Sequence, residues 1–573
     1  MRLPRISRIA RSLTIAARYP ALVLLALWLC PLALLAQTDR GLLTGSVADA
    51  GGAAMPASTI VATHTDTRTT FRASSGETGE FNIPSLPVGA YRVVIEHAGF
   101  KSAVRSNVRV EAGASARLDV KLEVGEVRQT VEVRESSAQL QIDNAKIQNT
   151  ISDRMIEALP TVMSDNMRSP FDLAAITAQV NGGDQDFRIG GGQAGAFGVQ
   201  LDGASAGTNR AGSTLWAAVN APSLDAITEF AVETNGFKAE FGRAGGGLVS
   251  FVSKSGGRQY HGTLFDFVRN NAFDARGFFN RTTPVYRQHD FGLTAGGPVQ
   301  IPKLYKKKDR TFFFFSYEGF RNRVGGNTNV SALPPEEFFQ GDFRNAVSRT
   351  RSPGNGPYIR YNVFDPSTTR YDEAARNYVR DPFPDNLVPR ARFDPLAAKL
   401  AGMAAPGMKP NRTDVVPGTP EYWLENFFSQ GTTVNPNDKW SLKFDHVLTD
   451  MHRLSAYFAY NKRQGIPGPG GPPGIPGIMN PYLKLTDTSP VYRGSWDWTI
   501  SPRLHNRFYF GINQFKDSNF PLTEGGNWQD KLCIQNVPDC NRNLPTIQLA
   551  DFPSWGGSGF NGSENPVYSF NDD

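Results

Sequence analysis

From Tyr260 onward the chain alternates between short polar turns and long irregular loops, and no other feature restricts its fold as strongly. Seven runs rich in Phe, Tyr and Trp lie between these connections. In the second run, Phe291, Leu293 and Ala295 alternate with Asp, Gly and Thr, which is the period of a β-strand. Three short turns and three long loops follow in strict alternation. The seven runs are Gln259–Arg269, His289–Val299, Thr311–Arg323, Trp440–Val447, Arg453–Tyr460, Val491–Ile500 and Asn506–Phe515.

Loop lengths that separate in this way are typical of a transmembrane β-barrel, which carries tight turns on one rim and long loops on the other. Runs of about 8–12 residues also match the ~9–11 residues with which a tilted strand crosses a bilayer. A soluble β-sandwich is the alternative, but nothing in a sandwich would sort its loops by length. The sequence therefore predicts an antiparallel transmembrane barrel over residues 258–573.

The predicted barrel is incomplete. About seven strands cannot close on themselves, and lipid does not tolerate open strand edges, because it cannot satisfy their backbone groups. The tail 516–573 is polar and is predicted to be irregular. We therefore expect the chain to be the N-terminal part of a longer protein, with Asp573 in a loop.

Residues 1–36 have the layout of a secretory signal peptide. Arginines between Arg2 and Arg18 precede an apolar run of about 15 residues, Ala21–Leu35, and Ala36 ends the leader. A membrane anchor is the alternative, but the run is shorter than the ~20 residues of a spanning helix. Without this leader the net charge falls from +6 to +1, because the leader carries five arginines and no acidic residue. No basic footprint remains, so we expect no nucleic-acid partner.

Residues 37–133 are predicted to form a small β-sandwich. Short alternating runs near Leu43, Thr59, Tyr91 and Ala116 are separated by turn residues at the spacing of a sandwich. The predicted core anchors are Phe81, Leu86, Tyr91 and Phe100, and the predicted turn glycines are Gly79 and Gly89.

The chain has no recognisable catalytic constellation. Its seven histidines form no paired ligand motif of the H-E-x-x-H kind. Neither a nucleophile–base pair nor a cofactor motif is evident. The sequence therefore predicts a protein that is not an enzyme and holds no cofactor.

Residues 134–257 are predicted to form an α/β domain. Helix signals occur at Ser152–Leu159 and Phe171–Ala178, and strand signals at Ile227–Val232 and Leu248–Val252. A Gly-dense tract begins at Phe187, but it lacks the strand-to-helix context and the Lys-Ser/Thr of a phosphate-binding loop.

A series of motifs resembles a known family. They are SLDAITEF, AEFGRAGGG, VSKSGG, HGTLFDFVRN, DARGFFN, FGLTAGGPV and DRTFFFFSYEGFR. In this order they resemble the plug-to-barrel junction of TonB-dependent outer-membrane receptors, and the Oar-like branch in particular. The segment from Gly79 to Tyr91, with Ala98-Gly-Phe-Lys after it, resembles the carboxypeptidase-regulatory-like domain, a transthyretin-like or starch-binding-like sandwich. The resemblance covers about Gly41 to Arg323 and makes 134–257 the plug.

The resemblance also suggests site residues. Arg188, Leu201, Asp202 and Gly203 match the plug motif, and we expect Arg188 and Asp202 to pack plug loops rather than contact ligand. The plug–barrel junction would comprise Glu240, Phe241, Gly242, Lys254, Gly256 and Gly257. The segment Thr130, Val131, Glu132 and Val133 is a candidate TonB box, because Val131 and Val133 alternate as an added strand requires. Its alternative role is the last strand of the sandwich followed by a linker.

Cys533 and Cys540 lie close together in a loop of a chain that we expect to be exported, so a local disulfide is predicted. Two unpaired thiols are the alternative. A metal pair is less consistent with the sequence, because no histidine lies near them.

Two functions remain open. The first is a receptor in the outer membrane that imports a scarce nutrient, such as a siderophore, oligosaccharide or peptide, when a TonB-type energy-coupling protein displaces the plug. The second is an adhesion or carbohydrate-binding surface protein anchored by the same barrel. Outer-membrane lipid, the barrel-assembly machinery and a small nutrient or glycan would be the other partners. The ligand-binding residues cannot be read from the sequence.

Overall fold

A computed structural model describes three successive domains and a lobe built from long loops. The described residues are 40–125, 130–134, 147–158, 167–174, 176–181, 187–207, 221–236, 245–278, 283–306, 309–325, 329–429, 432–467, 480, 482–501, 504–532, 544–549, 551–557 and 561–572. The predicted signal peptide, the junction residues Glu240, Phe241 and Gly242, and the pair Cys533 and Cys540 lie outside them.

The first domain is a β-sandwich, as predicted. Its strands are β1 (Gly41–Asp49), β2 (Thr59–His64), β3 (Thr70–Ser74), β4 (Glu80–Leu86), β5 (Gly89–Glu96), β6 (Ser102–Val110), β7 (Ser115–Arg117), β8 (Val120–Leu122) and β9 (Thr130–Arg134). One sheet has the order β4-β1-β7 with β8 also paired to β1, and the other has the order β3-β2-β5-β6-β9. The predicted anchors Phe81, Leu86 and Tyr91 are buried in the core between the sheets, and Phe100 packs against it partly buried.

The second domain is the α/β plug. It contains β10 (Ile147–Ser152), α1 (Asp153–Ala158), α2 (Pro170–Ala174), β11 (Val180–Asn181), β12 (Arg188–Ile189), β13 (Phe197–Leu201), β14 (Ala204–Ser205), a 3-10 turn (Leu224–Ala226), β15 (Ile227–Asn235) and β16 (Gly247–Ser253). Its main sheet has the order β10-β15-β16-β13-β14. Phe171, Phe187, Phe197 and Phe251 pack against one another at the centre of its core, mostly edge to face.

The strands after the plug are β17 (His261–Asn270), β18 (Tyr286–Pro298), β19 (Thr311–Gly325), β20 (Asn329–Ser331), β21 (Val347–Arg351), β22 (Tyr358–Arg360), β23 (Arg370–Asp372), β24 (Asn377–Val379), β25 (Phe427–Ser429), β26 (Thr432–Val434), β27 (Asn437–Val447), β28 (His452–Pro467), β29 (Leu483–Ser501), β30 (Leu504–Pro521) and β31 (Asn561–Asp572). Nine of them form one sheet, the barrel sheet, in the order β17-β18-β19-β26-β28-β29-β30-β31, with β27 between β19 and β28. Within the described residues no ladder joins β17 to β31, so the sheet is not closed.

All neighbours in the barrel sheet are antiparallel, and their connections sort by length as predicted. The strand ends joined by the connections 299–310, 448–451 and 502–503 lie at one end of the sheet, which we call the short-turn end. The strand ends joined by the long connections 271–285, 326–436, 468–482 and 522–560 lie at the other end. The alternation therefore places all long loops on one rim.

The prediction of an irregular tail is wrong, because β31 pairs with β30 from Asn561 to Asp572. The barrel sheet therefore has eight strands of ten residues or more, rather than about seven. The sequence does not predict this strand, because Pro566 and the polar residues before it are unfavourable in a strand. Only the pairing with β30 reveals it.

The barrel sheet has the polarity of a membrane protein. Its plug-facing side chains are buried and largely polar: Gln288, Asp290, Glu318, Asn322, Lys439, Ser441, Lys443, Asn461, Asp487, Ser489, Arg493, Asp497, Arg507, Asn513 and Asp517. Exposed large apolar side chains occupy alternate positions on the other face: Leu264, Phe444, Leu454, Tyr492, Trp496, Phe508, Phe510 and Tyr568. A polar interior and an apolar exterior are what a lipid-facing barrel requires.

The long loops are not irregular, contrary to expectation. Segment 329–429 and the described residues 522–532, 544–549 and 551–557 form a loop lobe. It contains β20–β25, α3 (Glu336–Phe339), α4 (Pro395–Ala404), α5 (Glu421–Leu424), α6 (Trp528–Leu532) and 3-10 turns at Pro366–Thr368, Pro384–Asn386 and Arg390–Arg392. Its core joins both segments and includes Leu333, Met408, Trp528, Leu544 and Trp555. None of the helices in the described part of the chain has the length and hydropathy of a membrane-spanning helix.

Candidate functional site between plug and barrel

Arg168 joins the plug to the barrel sheet. It lies two residues before α2, and its side chain is 5% exposed. Nη2 donates to Asp225 of the plug at 2.7 Å and to Glu318 of β19 at 3.4 Å. Nε and the backbone N–H donate to Asp290 of β18 at 3.3 and 3.1 Å. One plug side chain therefore reaches carboxylates on two barrel strands.

Several charges share this buried space, which we call the Arg168 cluster: Arg168, Asp225, Asp290, Glu318 and Lys439. Lys439 is paired in register with Glu318 across β19 and β27, and it supplies a second cation. Burial disfavours the charged guanidinium, but the carboxylates of Glu318, Asp225 and Asp290 outweigh it and raise the pKa of Arg168. Arg168 therefore stays charged.

Aromatic rings support the guanidinium from the edge strand of the barrel sheet. The guanidinium carbon of Arg168 lies 4.6 Å from the ring centre of Phe265 and 4.1 Å from that of Phe267. Such stacking on β17 excludes water from one face of the ion cluster and holds the guanidinium plane in place.

The plug motif forms a second contact. Leu201 ends β13, and Asp202 and Gly203 have φ values of +50° and +83°, as a two-residue hairpin turn into β14 requires. Asp202 accepts bonds from the backbone N–H of Ser253 at 2.9 Å and from its hydroxyl at 2.5 Å. Lys443 of β27 donates to the Ser253 Oγ at 2.9 Å. The predicted packing role of Asp202 agrees with this geometry, and the contact to the barrel is additional.

The far edge of the plug sheet meets β29 and β30. Arg493 donates to the carbonyl of Ser205 at 3.2 Å, and Asn513 donates to the carbonyls of Ala206 and Gly207, both at 3.1 Å. These bonds satisfy backbone groups at the end of the plug sheet, so the inner face of the barrel sheet acts as its partner.

Gly256 and Gly257 bring the junction against neighbouring backbone. A Cβ on Gly256 would lie 2.2 Å from the Phe313 carbonyl and 2.8 Å from that of Gly297, so only glycine fits there. Lys254 donates its backbone N–H to Ala226 at 2.8 Å. The close approach inferred from the glycines is therefore present at Gly256.

Arg188 does not have its predicted role. Its side chain is exposed on β12, whereas the adjacent Ile189 is 1% exposed in the plug core. Alternate residues of a strand point to opposite faces, and the apolar neighbour occupies the buried one.

Thr130–Val133 lie in β9. This strand pairs in parallel with β6, with Ser102 opposite Thr130 and Arg105 opposite Val133, and it is the outermost strand of its sheet. The pairing is the arrangement that the alternative, a last sandwich strand, predicts. An outermost strand still presents one backbone edge to another chain.

A cavity of about 450 Å³ lies where the sandwich, plug and barrel sheet meet. The sandwich contributes Arg40 and His64 to its wall, and the plug contributes Asp202 and Ser253. The barrel sheet contributes Lys443, Arg453, Arg493, Asp497 and Arg507. The cavity therefore has charged side chains within a partly apolar wall, and it lies toward the short-turn end.

Sequence reasoning missed the Arg168 cluster. Single acidic residues within the aromatic strands could have indicated it, such as Asp290 in HDFGLT and Glu318 in FFFFSYEGF. Charges at membrane depth must face the interior and be paired, so each one marks an interior contact. The partner Arg168 has no comparable signal, because it lies in an irregular segment.

Comparisons with known proteins agree with this architecture. The model of the family described as "Outer membrane beta barrel domain" matches residues 252–573, and that of the "Carboxypeptidase regulatory-like domain" matches residues 43–123. The TonB-dependent transporter Oar of Myxococcus xanthus is 25% identical over 274 residues, which cover 44% of this chain and 24% of the transporter. The chain thus spans about a quarter of the length of that relative.

Among solved structures, the outer membrane transporter YddB of Escherichia coli is 11% identical, with a TM-score of 0.41 over 74% of this chain and 45% of that one. A mutant of the ferric enterobactin receptor PfeA of Pseudomonas aeruginosa, in complex with enterobactin, is 12% identical, with a TM-score of 0.34 over 73% of this chain and 45% of that one. With the family model covering more than half of the chain, the protein belongs to the outer membrane β-barrel family and carries a carboxypeptidase regulatory-like domain at its N-terminal side.

Proposed function

We propose that this protein is a TonB-dependent outer-membrane receptor that imports a small nutrient by displacement of its plug. The observation that carries the proposal is the Arg168 cluster, in which a plug side chain is held by carboxylates on the inner face of the barrel sheet. The similarity to the transporter Oar supports the same function.

The contacts between plug and barrel suit a plug that moves. Most of them are ion pairs and hydrogen bonds, as at Arg168, Lys443 and Asn513. Water can replace such partners when the domains separate, whereas separated apolar surfaces would remain costly. Among the described barrel residues, Tyr457 and Val491 join the apolar core of the plug, and Ala459 packs against it. Displacement therefore breaks polar contacts at Arg168, Lys443 and Asn513 as well as this apolar one.

Thr130–Val133 is the segment through which energy would be applied. As the outermost strand of its sheet, β9 offers a backbone edge to which an energy-coupling protein of the TonB type can add a strand. The segment precedes β10 of the plug in the chain, so a pull on it is transmitted to Ile147 and the plug sheet.

Mass spectrometry of the growth medium tests this function whichever nutrient the protein imports. Cells that produce the protein should deplete particular solutes, and a protonophore should abolish that depletion. Val131→Pro should also abolish it, because proline lacks the N–H that strand addition uses. Val131→Thr keeps the strand-forming character and should preserve depletion. Equal depletion with and without the protonophore would rule out energy-coupled import.

One observation favours the second function, anchorage of a glycan-binding surface. Tyr371 and Tyr378 face each other across the β23–β24 hairpin of the loop lobe, with ring centres 5.4 Å apart, and both are exposed. Exposed aromatic rings on a loop are a common means of contacting ligands. Energy-independent binding of the cells to a glycan array, lost in Tyr371→Ala/Tyr378→Ala, would favour this function.

A further inference from the structure

We propose that the sandwich domain is a detachable cover on the short-turn end of the barrel, and that the plug cannot leave until this cover separates. The proposal gives the sandwich a function of its own and rests on the import function proposed above.

The sandwich is docked on barrel residues near the short turns. Arg40 Nη2 lies 3.1 Å from Asp497 of β29. Arg453 of β28 places its guanidinium 4.2 Å from the ring centre of Phe71 and donates to the Thr70 carbonyl at 3.2 Å. Arg453 and Asp497 are paired in register, directly beside the 448–451 turn. Both contacts therefore involve neighbouring residues at one position on the rim of the barrel sheet.

The same domain also contacts the plug. The Ala112 N–H donates to Glu229 Oε1 of β15 at 2.6 Å, and Gln148 of β10 donates to the Ala112 carbonyl at 3.1 Å. Arg109 and Asp153 form a more exposed ion pair at 3.6 Å. The plug is thus held between the barrel sheet on one side and the sandwich on another.

A third group of contacts crosses the junction. The Arg258 N–H donates to the Asp66 carbonyl at 3.3 Å. A Cβ built on Gly257 would lie 3.8 Å from the Cβ of Asp66. The sandwich therefore lies against the link between plug and barrel, and a moving plug would have to pass it.

The interface between the sandwich and the plug has the features of one that can separate. The sandwich and the plug have separate apolar cores, with no buried residue in common. Their described contacts are mostly polar, and the cavity of about 450 Å³ leaves part of the interface unfilled. Domain interfaces of this kind separate more readily than large apolar ones.

A reversible disulfide tests the proposal. A distance of 3.8 Å between Cβ atoms is the mean for natural disulfides. Asp66→Cys/Gly257→Cys should therefore cross-link the sandwich to the junction, in a parent in which Cys533 and Cys540 are replaced by serine. Ala196→Cys/Gly245→Cys is the matched control, because its Cβ atoms are 4.0 Å apart and both lie in the plug. Depletion of solutes from the medium by energised cells is the readout, and gel shifts of capped thiols measure the cross-link.

We expect the Asp66–Gly257 cross-link to reduce depletion at least tenfold, dithiothreitol to restore it, and the control pair to deplete at the parental rate. Parental depletion by the fully cross-linked protein would overturn the cover while the import function stands. Failure of the pair to oxidise in resting membranes would overturn the docking itself. If the parent shows no energy-dependent depletion, the import function fails, and the cover fails with it.

Discussion

At the scale of single residues, buried ion pairs determine where the plug is attached to the barrel sheet. Arg168 faces the carboxylates of Asp225, Asp290 and Glu318, so each partner depends on the others. A buried network adds little stability compared with apolar packing, but the loss of one member leaves uncompensated charge. The cluster therefore fixes the position of the plug more than it stabilises the fold.

Arg168→Met should destabilise the plug by ~3–5 kcal/mol, because it leaves buried carboxylates without their cation. Thermal denaturation of the membrane-embedded protein measures the effect. Arg188→Met is the control, since Arg188 is exposed on the same domain and should change little. Equal melting of the two variants would show that the cluster does not hold the plug.

Glu229 makes the stability of the folded protein depend on pH. Burial, ahead of all other causes, raises its pKa from 4.5 to about 7. Because the pKa is higher in the folded protein than in the unfolded chain, the folded state is most stable below pH 4.5. This stability is lost as the pH rises through about 7. We expect the free energy of unfolding to fall between these values by a few kcal/mol at most, since one pKa unit corresponds to about 1.4 kcal/mol.

Glu229→Gln should remove this dependence, because the amide still accepts from the Ala112 N–H but carries no charge. Melting temperatures recorded from pH 5 to pH 8 are the measurement. Glu157→Gln, on the exposed side of α1, should keep the parental profile. A pH profile unaltered by Glu229→Gln would assign the dependence to other groups.

At the scale of elements, alternation and turn length made the barrel strands predictable, whereas their ends were not. The predicted run Val491–Ile500 is β29, which extends over Leu483–Ser501. Most of the added residues, such as Lys484 and Asp487, are polar, and Pro490 interrupts the run. Strand pairing with β28 and β30, which no single-sequence pattern contains, extends the strand there.

The plug–barrel junction is the element in which adding a single Cβ atom should have the largest effect on assembly. Gly256→Ala should impair assembly, because the new methyl group would lie 2.2 Å from the Phe313 carbonyl of β19. Gly402→Ala is the control: nothing lies within 4 Å of a Cβ there, and alanine favours helix α4. Assembly is measured by the difference in gel mobility between heated and unheated samples, because the folded barrel migrates differently from the unfolded chain. Normal assembly of Gly256→Ala would refute the close approach of Gly256 to the Phe313 carbonyl.

At the scale of the whole molecule, the order of the three domains was predictable and their mutual contacts were not. Composition separates sandwich, plug and barrel along the chain. The contacts between them depend on single long-range pairs such as Arg40 with Asp497, whose partners are 457 positions apart. The loop lobe escaped prediction for the same reason, since Leu333 and Trp528 come from different loops.

Separate cores should unfold separately. Leu43→Ala, at a site that is fully buried in the sandwich, should lower one calorimetric transition by an amount equivalent to ~2–5 kcal/mol and leave the plug transition in place. Leu448→Ala, 49% exposed in a short turn, is the control. A single transition that shifts as a whole would mean that the domains unfold together.

The length of β29 has a consequence for how far the protein stands above its membrane. Nineteen residues at about 3.3 Å each, tilted by about 40°, rise roughly 48 Å, whereas the apolar band of such barrels is only about 25 Å tall. Roughly 20 Å of sheet therefore extends beyond the lipid. Because the loop lobe follows the long-loop ends of the strands, this extra length of sheet holds it away from the bilayer surface.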